Sequence, residues 1–532
     1  MTTAAAPPTR TSVAVVGGGP AGSTAAALLA RAGIDVVLLE RAKFPRYHIG
    51  ESLLASCPLV LELSGAMEKV DAAGFTDKRG GLFRWGSEGD WVVNWLDVYG
   101  EDRRSWLVDR AKFDKILLDN AREQGALVYE EATVHDVEFD GERPVAVVWS
   151  GGPDGAPRQR LACDWVIDAS GRAGVLSAQK LGDREHHEVF QNVAAWGYWQ
   201  GGKTLPNTPP GGLNSISSED GWYWLIPLSD GRLSCGYVTH RDVFRRRRAE
   251  FSSLEEMVKS VVMESEHIRP LIEGCEFVAP ARAEQDYSYA AAKFCGPGYM
   301  LSGDAACFLD PLLSTGVHLA LYSATVAAAG IVAIKDGTVT ESEVLAFYEY
   351  CYRRSYARLL TLVGGMYEQY RGKQTYFWSA HKLSHQVPLL DKDIVSQRDF
   401  VDLSAGLSDF IEAQKPDGEG YRRVLTDQLI VGAHKAQYDA VALGKVPADR
   451  GPFDFSYLDE NNHYRREARE AEEQAAGFTL VTEPRLGLAR IDQQVEDSPA
   501  AAPGEGSHPL NDGGPGSEAL LSYWKTPEAS RS

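Results

Sequence analysis

Four glycines and one acid near the start of the chain have the types and spacing to hold a nucleotide. Gly17-Gly18-Gly19-Pro20-Ala21-Gly22 follows a valine-rich run at 12–16 and leads into an alanine- and leucine-rich stretch at 21–32. A second apolar run, at 34–39, ends in Glu40. In a strand–turn–helix–strand unit each residue type has a task. Gly17 permits the tight turn, and Gly19 lets the backbone approach a pyrophosphate. Gly22, one step past Ala21, lets the helix lie close to the strand, and the Glu40 carboxylate can accept from a ribose hydroxyl. The helix start adds N–H donors and the positive end of a dipole. A glycine turn without a ligand is the competing reading of this fingerprint taken alone.

Other clusters offer different chemistry. Asp304 follows the run Tyr299-Met300-Leu301-Ser302-Gly303, where it either contacts a ligand or caps the next helix. Ser314-Thr315-Gly316 opens an alanine-rich helix expected over 317–334, and the unpaired amides of such a start form an anion site. An ordinary N-cap by Ser314 or Thr315 is compatible with that site. Trp222-Tyr223-Trp224-Leu225-Ile226-Pro227 sets two indoles at alternate positions; read alone, it is equally a buried strand with two core tryptophans. Lys78, beside Arg79 and ahead of Gly80-Gly81, reads on its own as a solvated charge.

The elements that must position these residues suggest an α/β protein. A Rossmann-like domain interleaves about 11–80, 108–175 and 290–335. A β-sheet region fills about 81–107 and 190–285, with a hairpin turn signal at Ser229-Asp230-Gly231-Arg232. Residues 336–490 read as a mostly helical C-terminal region, in which Tyr348, Cys351, Tyr352 and Tyr356 recur at helical spacing. Residues 465–473 read as a solvated charged helix, and 491–532, rich in Pro, Gly and Ala over 498–517, as a disordered tail. The stretch 316–334 approaches membrane-span length, but its alanines with His318, Tyr322 and Ser323 favour a buried helix over an integral membrane segment. The 532 residues are 44% hydrophobic, which argues against global disorder, and the net charge of −20 argues against general nucleic-acid binding. Seven scattered cysteines without a C-x-x-C pair suit a reducing cytoplasm and give no metal site. Residues 1–11 lack the apolar core of a secretion signal.

Taken together the motifs resemble the flavin-dependent halogenase family, over residues 11–334. Trp222-x-Trp224-x-Ile226-Pro227 matches the family's Trp-x-Trp-x-Ile-Pro signature. Phe308-x-x-Pro311-x-x-Ser314-x-Gly316 matches its second motif. Lys78 stands where members acting on phenols carry a lysine, before a Gly-rich strand ending in Trp85-Gly86. The Gly50-Glu51-Ser52 segment, preceded by Arg46, resembles the part beside the flavin, and Arg110 resembles an FAD-contacting arginine at a helix start. The late Gly303-Asp304 pair is similar to the one that closes the FAD site in flavoprotein hydroxylase-like folds.

The resemblance implies an FAD-binding fold of the aromatic hydroxylase or glutathione reductase type, and an enzyme with two components. A separate NAD(P)H-dependent flavin reductase would supply FADH2, which reacts with O2 to a C4a-hydroperoxide. Chloride or bromide, held near the amides of Thr315 and Gly316, would attack it to give hypohalous acid. A tunnel would carry that oxidant to Lys78 for an electron-rich phenol or pyrrole, free or tethered to an acyl carrier protein, in secondary metabolism. Trp222, Trp224, Ile226, Pro227, Phe308, Pro311 and Ser314 would separate substrate from flavin. Tryptophan halogenases carry a Glu before the motif's Ser, whereas this chain has Leu313, which speaks against free tryptophan. Ser170 replaces an Asp that single-component hydroxylases use, which weakens a reading as a hydroxylating monooxygenase. A catalytically silent flavoprotein partner is the non-enzymatic alternative. The run Arg241 to Arg248 offers a basic patch for an acidic carrier, or a solvated helix start.

Overall fold

The computed structural model describes residues 8–85, 90–99, 103–151, 157–369, 404–414 and 477–491. Along the chain the strands are β1 (Arg10–Val16), β2 (Val36–Leu39), β3 (Thr76–Lys78), β4 (Gly80–Arg84), β5 (Asp90–Asn94), β6 (Ser105–Leu107), β7 (Leu127–Tyr129), β8 (Ala132–Asp140), β9 (Arg143–Gly151) and β10 (Gln159–Asp168). They continue as β11 (Arg184–Gln200), β12 (Leu213–Ser218), β13 (Gly221–Pro227), β14 (Arg232–His240), β15 (Glu276–Phe277), β16 (Arg282–Ala291), β17 (Cys295–Gly296), β18 (Tyr299–Leu301) and β19 (Cys307–Phe308). The helices used below are α1 (Pro20–Arg31), α2 (Arg110–Glu123), α3 (Arg241–Ala249), α4 (Thr315–Lys335), α5 (Glu341–Gln369) and α6 (Leu407–Gln414).

The first sheet has the order β17-β18-β10-β1-β2-β7, with the β8–β9 hairpin attached to β10. Its central strands are parallel, Val13 facing both Val36 and Trp165 and Val166 facing Tyr299. Continuous valine and leucine runs form these strands because both faces are covered, and β2 is buried along its whole length. Parallel pairing brings the carboxyl ends of β1, β2, β10 and β18 to one edge. Gly17, Glu40, Ser170 and Gly303 therefore meet there although they are far apart in sequence, at the edge where open α/β sheets bind ligands.

The second sheet runs β19-β16-β11-β14-β13-β12-β4-β5, with β15 on β11. The expected hairpin is present: β13 pairs antiparallel with β14, Trp222 opposite Val238 and Trp224 opposite Gly236. Alternation on β13 puts Trp222 and Trp224 on one face and Tyr223 and Leu225 on the other, in a separate apolar cluster. Gly236 makes room for an indole, since a Cβ there would lie 2.1 Å from the Trp224 ring.

Lys78 lies on β3, paired with β6, and not in a loop. Gly80 follows at φ +147°, where a Cβ would fall 1.9 Å from the Val93 carbonyl oxygen. Helix α4 starts two residues before the expected boundary, at Thr315. Ser314 sits in the left-handed region at φ 59° and makes no side-chain cap, so the cap expected of it is not formed. Helix α4 is, among the described residues, long and apolar enough to cross a membrane, yet 94% of that apolar stretch is buried inside the protein. Within the helical C-terminal region the structure describes α5, α6 and a strand pair, Phe478–Val481 with Gly487–Arg490. The charged helix expected over 465–473 and the tail expected over 491–532 lie outside the described residues, Ile491 excepted. The seven cysteines are all free.

Candidate active site

Where the first sheet's carboxyl edge meets the second sheet lies a cavity of about 760 Å³, within the usual range for cofactor sites. Gly17, Gly19, Ala21, Glu40, Arg46, Ser52, Arg110 and Asp304 line it, as do Thr315 and Gly316. Trp222, Trp224, Ile226, Phe308, Pro311 and Ser314 form its far wall. Gly22, Pro227 and Lys78 do not line it. Gly22 serves the packing instead: a Cβ there would lie 1.9 Å from the Gly17 carbonyl oxygen. Pro227 ends β13 opposite Leu233.

The glycine turn is held from the side by Glu40. Its Oε2 accepts the Gly18 amide at 2.6 Å and its Oε1 the Ala42 amide at 2.7 Å. Lone pairs remain on both oxygens for a ribose hydroxyl. Arg110 opens α2 and donates to Asp114 at 2.8 Å and to the Ile49 carbonyl at 2.7 Å. Arg46 reaches the same Asp114 at 3.3 Å. The buried Asp114 thus anchors both arginines beside the 46–52 segment, a tie that sequence reading did not find. Asp168 orders the turn across the cavity, accepting from the Ser170 amide at 3.0 Å and the Leu176 amide at 2.7 Å. Burial raises the Asp304 carboxyl, with Arg172, Arg110 and Arg184 pulling it back.

The cavity fits FAD on its own features. Gly19 has only Arg46 near the place of a Cβ, at 3.5 Å, so backbone can approach a pyrophosphate there. Thr315 Oγ1, at the first turn of α4, is buried without a hydrogen-bond partner, and no atom lies within 4 Å of a Cβ at Gly316. An orphaned hydroxyl beside unpaired helix amides suits an anion or a polar ring edge.

Lys78 occupies a second, smaller chamber of about 50 Å³ with Phe83, Trp95, Leu313 and Ala405 among its walls. Leu213, Leu312 and Ser314 line both spaces. The amine is 3% exposed and donates to Ser52 Oγ and to the Leu53 carbonyl, each at 2.9 Å. It stands 5.3 Å from the Trp95 ring centroid. Burial pushes its pKa down to about 7. Ser52 therefore faces the large cavity while its hydroxyl holds the lysine behind it.

Further groups escaped the sequence reading. The Asp310 carboxylate accepts from Tyr367 at 2.8 Å and Asn192 at 2.9 Å, and Tyr367 accepts from Trp222 Nε1 at 2.7 Å. Burial raises Asp310 to about 6. Beside Ser52, Glu51 Oε1 accepts from Tyr198 at 2.8 Å, and burial pushes its carboxyl up to about 7. Glu51 had a signal in its Gly-Glu-Ser setting; Asp310 had only its place inside a motif.

Comparison with known proteins agrees with this geometry. The family model described as tryptophan halogenase matches residues 12–105 and 100–399. A tryptophan 2-halogenase of Chondromyces crocatus is 41% identical over 413 residues, which are 76% of this chain and 78% of that one. A sulochrin halogenase of Aspergillus terreus is 38% identical over 388 residues, covering 68% and 70%. The solved myxobacterial chondrochloren halogenase, described as a variant of FAD-dependent halogenases, superposes with a TM-score of 0.68 at 30% identity, over 88% of this chain and 97% of that one.

Proposed function

The chain belongs to the flavin-dependent halogenase family, and from that premise we propose that Lys78 directs halogenation of an electron-rich phenol or pyrrole. Enzymes of this family use reduced FAD, halide and O2, which together supply hypohalous acid. They generally draw reduced flavin from a separate reductase. The residues here would bind and separate. Gly17, Gly19, Glu40 and Arg110 would hold FAD, and Thr315 with the Gly316 amide would hold halide. The Trp222–Trp224 wall would keep the aromatic substrate away from the flavin.

The observation that carries the reading is the shared lining of the two chambers. Leu213, Leu312 and Ser314 stand between the large cavity and Lys78, the route a small neutral oxidant would take. With Ser52 and Leu53 accepting two of its hydrogens, Lys78 has one valence left for the chamber: a lone pair as amine, an N–H as ammonium. The apolar Leu313 and the lack of a carboxylate among the described chamber walls support a phenol or pyrrole over free tryptophan. The tryptophan 2-halogenase relative favours an indole as the second reading. Carrier tethering would use α3, where Arg245 is largely exposed while Arg247 pairs with Glu264; charge reversal at Arg245 and Arg246 should then slow a tethered substrate and spare a free one.

The test is Lys78→Ala. Halogenated product should fall by roughly 10²-fold or more, while halide-dependent oxidant, trapped with monochlorodimedone, keeps forming. A fully active variant refutes the lysine's role. Hydroxylated product formed without halide would instead identify a monooxygenase.

A further inference from the structure

We propose that Glu51, Tyr198 and Tyr47 form a proton relay that feeds the flavin cavity from the protein surface. The need for one follows from the balance of the family's reaction. RH, X⁻, O2, FADH2 and one H⁺ give RX, FAD and two H2O. Oxygen takes four electrons, two from FADH2 and two from replacing C–H by C–X. Its four protons come two from FADH2, one from the carbon and one from outside. The cavity must therefore admit one proton in every turnover.

Three side chains in series are ordered to deliver it. Trp196 Nε1 donates to Tyr47 Oη at 2.6 Å, which leaves the Tyr47 hydrogen to point onward. Tyr47 and Tyr198 hydroxyls are 2.8 Å apart, and Tyr198 donates to Glu51 Oε1 at 2.8 Å. Every hydrogen in this series points inward. Tyr47 is 38% exposed; it borders the cavity and also carries the exposed Arg282 stacked 3.9 Å over its ring, so the outer end reaches the surface beside Arg282. At the inner end Glu51 is 3% exposed and lines the cavity. Its Oε2 is buried, with the Ser234 hydroxyl beside the carboxylate pulling its pKa back down.

Holding a carboxylate charge in a buried place is costly, and protonation relieves that cost. Arg232 and Asp109, themselves paired at 2.8 Å, are the charges that act on Glu51, and burial outweighs them, holding it near 7. Glu51 then gives its proton to the cavity it lines, takes the Tyr198 hydrogen on Oε1, and Tyr198 is refilled by Tyr47. Burial raises Tyr198 far above the ordinary phenol range, so it passes the proton by exchange and never as a free phenolate. The proposal needs only the family's net reaction and does not depend on the substrate assigned to Lys78.

Glu51→Gln, Tyr198→Phe and Tyr47→Phe test it in the full chain. Infrared difference spectra of the FAD-free protein should show a protonated carboxyl band that titrates near neutrality and vanishes in Glu51→Gln. Tyr198→Phe should bind FAD within about threefold of wild type yet form product roughly 10²-fold more slowly. Its loss should deepen with rising pH, its solvent deuterium effect should grow, and acetic acid should restore part of the rate. If Glu51→Gln fails to bind FAD, the two tyrosine variants, which keep the carboxyl, decide. Wild-type rates and pH profiles in Tyr198→Phe and Tyr47→Phe, or a Glu51 carboxyl ionised throughout pH 5–8, would overturn the relay. Halogenated product from wild type, measured alongside, keeps this outcome separate from any failure of the functional assignment.

Discussion

An amine buried to 3% exposure makes Lys78 titrate near neutrality, and that has consequences for both stability and rate. Its folded pKa is about 7 against 10.5 for an exposed lysine. Between those values the unfolded chain holds a proton that the folded chain does not, so folding gains as pH rises through the window and the penalty is complete below it. At about 1.4 kcal/mol per unit, the ceiling on this change is about 5 kcal/mol. Unfolding free energies of the wild type and of Lys78→Met, measured from pH 7 to 10, should diverge in the wild type's favour by a few kcal/mol. A constant difference would mean that the amine is hydrated. Halogen transfer measured over pH 6 to 8.5 adds the chemical half: a rate that climbs through 7 requires the amine, and one that falls requires the ammonium.

Elements set the distance between flavin and lysine. Trp222 is fixed by Tyr367, which lies 145 residues away on α5 and also donates to Asp310 in the segment leading into α4. Tyr367→Phe removes these bonds and the longer one from Asn192, and leaves a buried indole N–H without an acceptor, at a cost of about 1–3 kcal/mol. A fall in Tm with FAD affinity kept is the expected result; an unchanged Tm would show that Trp222 is held by packing alone. This tie also shows where sequence reading stops. The strand–glycine–helix unit was legible because its pieces are adjacent and obey a local period. The Trp222–Trp224 face was legible because alternation fixes it. Tyr367, Asn192 and Asp310 belong to three segments whose meeting depends on the packing of α5 over both sheets. Nothing local marks Tyr367 among the tyrosines of its helix. Lys78 was singled out by its motif, but its place on β3 and its ties to Ser52 and Leu53 follow from the β3–β6 pairing, which no periodicity announces.

At the scale of the whole molecule, one buried clasp joins the start of α4, the segment around Ser56 and residues 404–414. His318, one turn into α4 from Thr315, meets Ser56 Oγ at 2.8 Å and Asp409 Oδ2 at 2.6 Å. Asp409 also accepts from Ser355 at 2.7 Å and pairs with Arg358 at 2.8 Å. Against the pull of burial, Arg358 and His318 hold the Asp409 carboxyl below its ordinary value. Gly406, at φ +73°, has room for no Cβ, which would lie 2.5 Å from the His318 ring. The Ser56 amide donates to the Ala405 carbonyl at 3.2 Å, and Ser404 and Ala405 face the Lys78 chamber. Losing His318 would take one of three partners from Asp409, a buried carboxylate that keeps Arg358 and Ser355, a change that costs about 1–3 kcal/mol. His318→Ala should therefore lower the Tm and expose residues 404–414 to amide exchange before the rest of the protein. Because this wall belongs to the lysine chamber alone, KM for the aromatic substrate should rise while FAD affinity and halide-dependent oxidant formation stay near wild type. If oxidant formation collapsed in step with halogenation, the clasp would be serving the flavin cavity, and 404–414 would not be the substrate's wall.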